Sequence, residues 1–198
     1  MSSRDAVLAS VRANLPKLKQ PLPSVPRFDA DPPASLIEAF GKGLTRMGGR
    51  LLDPGPAEDV LAPVRSLLQQ SRLVCSATPE ITTQYDLTNV DNAHDLADVD
   101  HAVVRAAFGV AETGSVLLTG CDLKINALAY LAQHLIVLLD PKQILVNLHD
   151  AYARSEFRDY SYTVFHSGPS ATADIEGVLI LGAQGVRSLS VLLAPITR

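Results

Sequence analysis

Two short stretches hold most of the side chains able to do chemistry. The first, His166-Ser-Gly-Pro-Ser-Ala-Thr-Ala-Asp-Ile-Glu-Gly177, packs an imidazole, three hydroxyls and two carboxylates into twelve residues. The second is Gly109-Val-Ala-Glu-Thr-Gly-Ser115. In the first, Ser167, Gly168, Ser170 and Thr172 are candidate ligand contacts, since hydroxyls and backbone N–H groups at a turn suit a phosphate or carboxylate. Asp174 and Glu176 are candidate catalytic carboxylates. On a helix they face different ways. On a strand they share a face, and each then raises the pKa of the other. Either way they oppose a bound anion. In the second stretch Glu112 is a candidate base, nucleophilic carboxylate or hydroxyl-binding group, provided the fold brings it to the first stretch. Thr113 and Gly114 are candidate ligand contacts beside it. The same residues also suit a plain capped turn, whose acids bond nearby N–H groups. His166 reads as a proton carrier, a ligand contact, or a strand-end histidine bonded to backbone.

Other chemistry-bearing residues form no motif. Asp86, Asp91, His94, Asp95, Asp98, Asp100 and His101 make residues 79–101 acidic, but their spacing matches no metal-ligand pattern, so a solvated connection is expected. Cys75 and Cys121 lie outside any CxxC run. They provide neither a four-thiolate cluster nor a structural zinc site, and no cofactor or metal is expected in this chain. Gly41-Lys-Gly43 is not a phosphate loop, because it falls inside a helical pattern.

The elements that must position these residues follow an αβαβ rhythm. Residues 4–14 read as a short amphipathic helix. Six of the 13 prolines then crowd into Pro16–Pro33, an extended arm. Residues 1–34 are therefore separated from one domain over 35–198. In that domain the patterns predict a helix ending at Gly48-Gly49, a strand at 50–53, a helix at 56–71 and a strand at 72–76. A hairpin of 103–110 and 115–119 follows, with Gly114 at positive φ. Residues 123–133 read as helix and 135–139 as buried strand. Asp140-Pro141 starts a helix with Ile144, Leu145, Leu148 and Tyr152 on one face. Residues 160–166 and 188–194 read as strands. The expected class is α/β, a mostly parallel or mixed sheet flanked by helices. The turn after His166 would then line a crevice at the carboxyl ends of the strands, with Ser170 or Thr172 capping a short helix and Glu112-Thr-Gly114 as the opposite wall.

Bulk properties exclude some partners. The net charge of −4 and the absence of basic clusters argue against nucleic acid or an anionic membrane surface. No apolar run reaches the ~18 residues of a membrane span, and the N-terminus has no signal-peptide pattern, so a cytoplasmic protein is expected.

Gly109-Val-Ala-Glu-Thr-Gly-Ser-Val-Leu-Leu118, Ser167-Gly-Pro-Ser-Ala-Thr-Ala-Asp-Ile-Glu176 and Leu181-Gly-Ala-Gln-Gly-Val-Arg187, in this order, resemble the lactate-utilisation protein C family, the LUD domain, over residues 35–195. The resemblance implies a fold of the type shared by sugar-phosphate isomerases, CoA-transferases and formyltetrahydrofolate cyclo-ligases. It implies a part in bacterial oxidation of L-lactate to pyruvate, beside partner proteins that carry the iron–sulfur clusters. It assigns no catalytic residue. The chain departs from the family pattern at Ala171, where a basic residue is common, at Gln184 and Val186, where histidine and proline are common, and at Ala132-Gln133, where a proline often precedes the histidine resembling His134. Three readings stay open. One is a lactate-utilisation component with iron–sulfur partners. Another is a stand-alone enzyme on a small phosphorylated or CoA-linked metabolite. The third is a non-catalytic interaction module, with the N-terminal arm serving partner or homo-oligomer contacts.

Overall fold

The run His134–Leu139 is apolar at five successive positions, a pattern that only a strand covered on both faces can bury. The computed structural model makes it the centre of a parallel sheet, with Leu135 to Leu139 all at most 1% exposed. Each such side chain contributes about 1.5–3 kcal/mol on burial. The structure describes residues 2–16, 21, 23, 24, 26, 31–54, 56, 58–173, 179–182 and 184–196.

The chain divides into two compact units, Met1–Ala30 and Asp31–Arg198. In the first, helix α1 (Ser3–Ala13) opens with a capping box. The Ser2 hydroxyl accepts from the Asp5 N–H, and the Asp5 carboxylate accepts from the Ser2 N–H.

In the second unit the order is α2 (Leu36–Arg46), β1 (Arg50–Leu52), α3 (Ala62–Leu68), β2 (Val74–Ser76), β3 (His101–Arg105), β4 (Phe108–Val110), β5 (Ser115–Thr119), α4 (Gly120–Leu123), α5 (Leu128–Leu131), β6 (His134–Leu139), β7 (Ile144–Leu145), α6 (Leu148–Tyr152), α7 (Glu156–Asp159), β8 (Thr163–His166), β9 (Ala171–Ala173), β10 (Leu179–Leu181) and β11 (Ser188–Leu193). Strands β1-β11-β6-β3-β2 form a five-stranded sheet, parallel throughout. Strands β7-β4-β5-β8 form a mixed sheet, and β9 pairs antiparallel with β10. The fold is α/β, as expected.

Strand alternation sorts the core. Ala102, Val104, Leu135, Val137 and Val191 join Phe40 and Leu44 of α2 in the main cluster. Val103, Ile136, Leu138 and Leu192 face the α3 side, with Val64. A third cluster, Phe108, Val110, Leu117 and Ala151, covers the outer face of the mixed sheet.

Four expectations fail locally. The single strand expected over 103–110 is two, β3 in the parallel sheet and β4 in the mixed one, so only 108–110 forms the hairpin with β5. The helix expected after Asp140-Pro141 is only a 3-10 turn, Pro141–Gln143, with Asp140 accepting from the Lys142 N–H. Ile144 and Leu145 then pair with Gly109 and Val110, and Asn147 caps a fresh short helix. The helix expected over 123–133 breaks at Lys124, whose φ is +62°. The turn after His166 sits on the mixed sheet, not on the parallel one, and Ala171–Ala173 is strand rather than capped helix. Extended backbone there is fixed by pairing with β10, so the parallel-sheet crevice argument does not apply.

The acidic stretch 79–101 is built of capped 3-10 turns, Leu87–Asn89 and Ala93–Asp98, which bury Leu96. Among the described residues no three histidine, cysteine, aspartate or glutamate side chains converge on a metal-sized site, and no helix is long and apolar enough to cross a membrane. Cys75 lies in the core, where burial pushes its thiol up to about 11, and Cys121 is exposed.

Candidate functional site

The two chemistry-bearing stretches end neighbouring strands. β5 and β8 run antiparallel, with Val116 opposite His166, so Ser115 and Ser167 meet at the next step. Their hydroxyl oxygens are 2.7 Å apart, and Ser115 donates to the Thr113 hydroxyl at 2.7 Å. A hydroxyl has one hydrogen to give. With that of Ser115 committed to Thr113, Ser167 donates to Ser115. The proton chain runs Ser167 to Ser115 to Thr113, and the hydrogen of Thr113 is directed onward. Ser115, only 3% exposed, depends on both neighbours.

Glu112 sits at the tip of the β4–β5 turn. Its N–H donates to the Val146 carbonyl at 3.1 Å, and its carboxylate accepts from the Leu148 N–H at 3.0 Å. Gly114 closes the turn with φ +68°, its N–H bonded to Val110 O at 2.9 Å. The glycine also lets α2 approach. A Cβ on Gly114 would lie 1.9 Å from the Leu44 backbone nitrogen, and one on Gly43 would lie 2.6 Å from that of Gly114. Gly168 packs just as closely, where a Cβ would lie 2.1 Å from the Met47 carbonyl oxygen. Both stretches therefore dock on the C-terminal half of α2. They stand side by side, and the wall facing them is α2 rather than each other.

Two cavities result, and they share Met47, Phe165 and Ser167. The smaller, about 310 Å³, is bounded by Arg46, Glu112, Thr113 and Ser115. The Arg46 guanidinium donates to the Glu112 carbonyl at 3.4 Å. A cation, a carboxylate and the hydroxyl chain thus face one small space. The larger cavity, about 410 Å³, lies beyond Ser167 and is bounded by Tyr130, His166, Gly168, Ser170 and Gly185. Ala171, Gln184 and Val186, the three departures from the family pattern in this region, border it as well. Here the Ser170 N–H donates to Val186 O at 2.8 Å. His166 is 9% exposed, and its Nε2 has no hydrogen-bond partner among the described residues. Desolvation holds this imidazole at about 4, so it is neutral at pH 7. The Tyr130 ring lies 5.3 Å from it, and the Tyr130 hydroxyl meets that of Tyr162 at 2.7 Å.

A family model for the LUD domain matches residues 73–194. The chain belongs to the LUD-domain family. The crystal structure of a DUF162 family protein from Deinococcus radiodurans superposes with a TM-score of 0.60 over 80% of this chain and 95% of that one, at 18% identity. At that identity the likeness concerns the fold. No curated protein matches the chain.

Of the site residues expected from sequence, this LUD domain brings Glu112, Thr113 and Ser167 to the smaller cavity and Ser167, Gly168 and Ser170 to the larger. Gly114 is spent on the turn and the helix contact. Thr172 is exposed, on β9 opposite Ile180. Asp174 and Glu176 lie outside the described residues. Sequence reasoning missed Arg46 and Tyr130. A glycine in the middle of an amphipathic helix costs stability without a packing reason, so Gly43 was the signal that α2 meets another backbone beside Arg46.

Proposed function

We propose that this LUD domain binds a small 2-hydroxy acid as a component of L-lactate utilisation, in which iron–sulfur partner proteins carry the electrons away to leave pyruvate. The observation that supports this reading is the composition of the smaller cavity. Arg46 offers one positive charge for one carboxylate. Glu112 accepts the hydrogen bond of a 2-hydroxyl, and the hydrogen of Thr113 serves the remaining oxygen. A phosphate ester or CoA-linked metabolite, the other enzyme reading, carries more negative charge than Arg46 can balance, and Glu112 repels it. The family supports the pathway context, and the residues of the cavity support the ligand class.

Calorimetric titration tests the reading. L-Lactate is expected to bind more tightly than inorganic phosphate, and Arg46→Gln is expected to abolish binding without lowering the melting temperature. Tighter binding of phosphate, or lactate binding that survives Arg46→Gln, overturns it. Loss of growth on L-lactate after gene deletion, and co-purification of iron–sulfur proteins with the full chain, are the corresponding cellular outcomes.

A further inference from the structure

A third cavity, about 580 Å³, lies at the carboxyl end of β2 and shares no residue with the other two. Crevices beyond the carboxyl ends of parallel strands are where α/β folds bind ligands. Its border is drawn from residues 76–79, where the chain leaves the sheet, from within 81–88, and from Lys124 and Ile125. A parallel bridge between Cys75 and Tyr85 ties the second of these stretches to the edge of the sheet. Leu123, Lys124 and Ile125 make a γ-turn. The Ile125 N–H donates to the Leu123 carbonyl at 2.7 Å, and Lys124 stands at φ +62°, ψ −50°. That conformation is rare and strained for a residue with a Cβ, whereas glycine would hold the turn freely. Strain of this kind is retained where the side chain has work to do. Among the described residues the Lys124 ammonium has no hydrogen-bond or ion-pair partner. Asp86, of opposite charge, borders the same cavity without pairing with it. Its Oδ1 accepts from both the N–H and the hydroxyl of Thr88, while its Oδ2 accepts from the Asn89 side-chain amide at 2.9 Å and has room for a further donor. Other hydroxyls on the border are spent within it, since Ser76, Thr78 and Thr83 donate to the Thr78 carbonyl, the Glu80 carboxylate and the Tyr85 carbonyl.

We infer that this third cavity binds a free α-amino acid with an apolar side chain, its carboxylate on Lys124, its ammonium on Asp86 and its side chain against Ile81, Leu87 and Ile125. Lys124 and Asp86 are the charged residues of the border, and a zwitterion answers both. A carboxylate without an ammonium faces Asp86 unmatched, and an amine without a carboxylate faces Lys124 unmatched. The border is neutral in sum, so a phosphate dianion gains no net attraction. Apolar contact supplies affinity and the two charges fix orientation, in a volume that suits a small organic ligand. The site rests on observations separate from those at Arg46 and stands whether or not the smaller cavity takes a hydroxy acid.

The full-length protein is titrated calorimetrically with L-leucine, L-methionine and L-phenylalanine, and at least one is expected to saturate. The deaminated and decarboxylated analogues of the best binder (4-methylpentanoate and 3-methylbutylamine for leucine) are each expected to bind about tenfold more weakly, the value of one hydrogen bond to a charged group. Lys124→Gly relieves the turn and so keeps the fold, with a melting temperature no lower than wild type, yet is expected to lose about tenfold in affinity. Lys124→Arg, which restores the charge, is expected to recover most of that loss. Asp86→Asn still accepts from Thr88 and should weaken the amino acid while sparing the deaminated analogue. The inference is overturned if none of the three amino acids saturates, if the deaminated analogue binds as tightly as its parent, or if Lys124→Gly binds as well as wild type. Arg46→Gln separates this site from the smaller cavity. It should leave amino-acid binding intact while removing lactate binding, and Lys124→Gly should do the reverse, so either reading can fail without the other. Loss of amino-acid binding in Arg46→Gln overturns the inference.

Discussion

Burial of His166 makes stability depend on pH in a window that can be stated in advance. The imidazole is held at about 4 in the folded protein, against an ordinary 6.5. Between those values the unfolded chain binds a proton that the native state does not. Unfolding is then favoured as pH falls, and stability rises with pH. The contribution is fully present above pH 6.5 and is lost as pH falls toward 4. A difference of about 2.5 in pKa corresponds to about 3 kcal/mol, at about 1.4 kcal/mol per pH unit. Urea unfolding followed by circular dichroism at pH 7, 6, 5 and 4.5 measures it. The comparison with His166→Phe isolates the residue, because His101 and His134 are also lowered by burial and act with the same sign. Asp100 and Asp140 are lowered as well, chiefly by backbone N–H groups, but lose their contribution at more acidic pH. The variant should gain on wild type by about 1.4 kcal/mol for each pH unit below 6.5. A difference that stays constant from pH 7 to 4.5 would refute the argument, since His166 would then titrate like an exposed imidazole.

Four substitutions probe the frame of the fold. Gly114→Ala places a Cβ 1.9 Å from the Leu44 nitrogen at a positive φ; a loss of at least about 3 kcal/mol in urea unfolding is expected, from backbone strain and overlap together. Ser115→Ala breaks the hydroxyl chain in its middle and should cost about 1–3 kcal/mol, more than Ser167→Ala, which removes only an end. Lys124→Gly relieves a positive φ at the break between α4 and α5; a gain of about 1 kcal/mol, read as a rise of about 2–4 °C in melting temperature, is expected.

Elements whose pattern and surroundings agree were legible from sequence. Leu135–Leu139 is an apolar run that the sheet buries as such, Ser188–Leu193 is strand with two serines among its apolar residues, and the β4–β5 turn with Gly114 at positive φ follows from Glu-Thr-Gly. Ile144 and Leu145 were misread because two apolar residues beside a capping Asp-Pro fit a helix as well as a strand. Pairing with β4, which is remote in sequence, decided between them. In the site, the two motifs announced their own hydroxyls, but not that these hydroxyls would touch. That contact depends on the β5–β8 register. Arg46 was hidden for a different reason. A basic residue in the last turn of an amphipathic helix is what the helix dipole favours anyway, so its type alone conveys no function.

The contact between Gly43 and Gly114 has an evolutionary corollary. Two backbones that touch without side chains leave neither position free to vary alone, since any atom added at one is an intrusion into the other. In relatives these positions should drift as a pair or not at all. A relative with a bulky residue at either should carry its helix farther from the turn, and with it whatever stands at position 46. Where relatives keep both glycines, which stand some seventy residues apart in this chain, residue 46 should keep its place beside the smaller cavity.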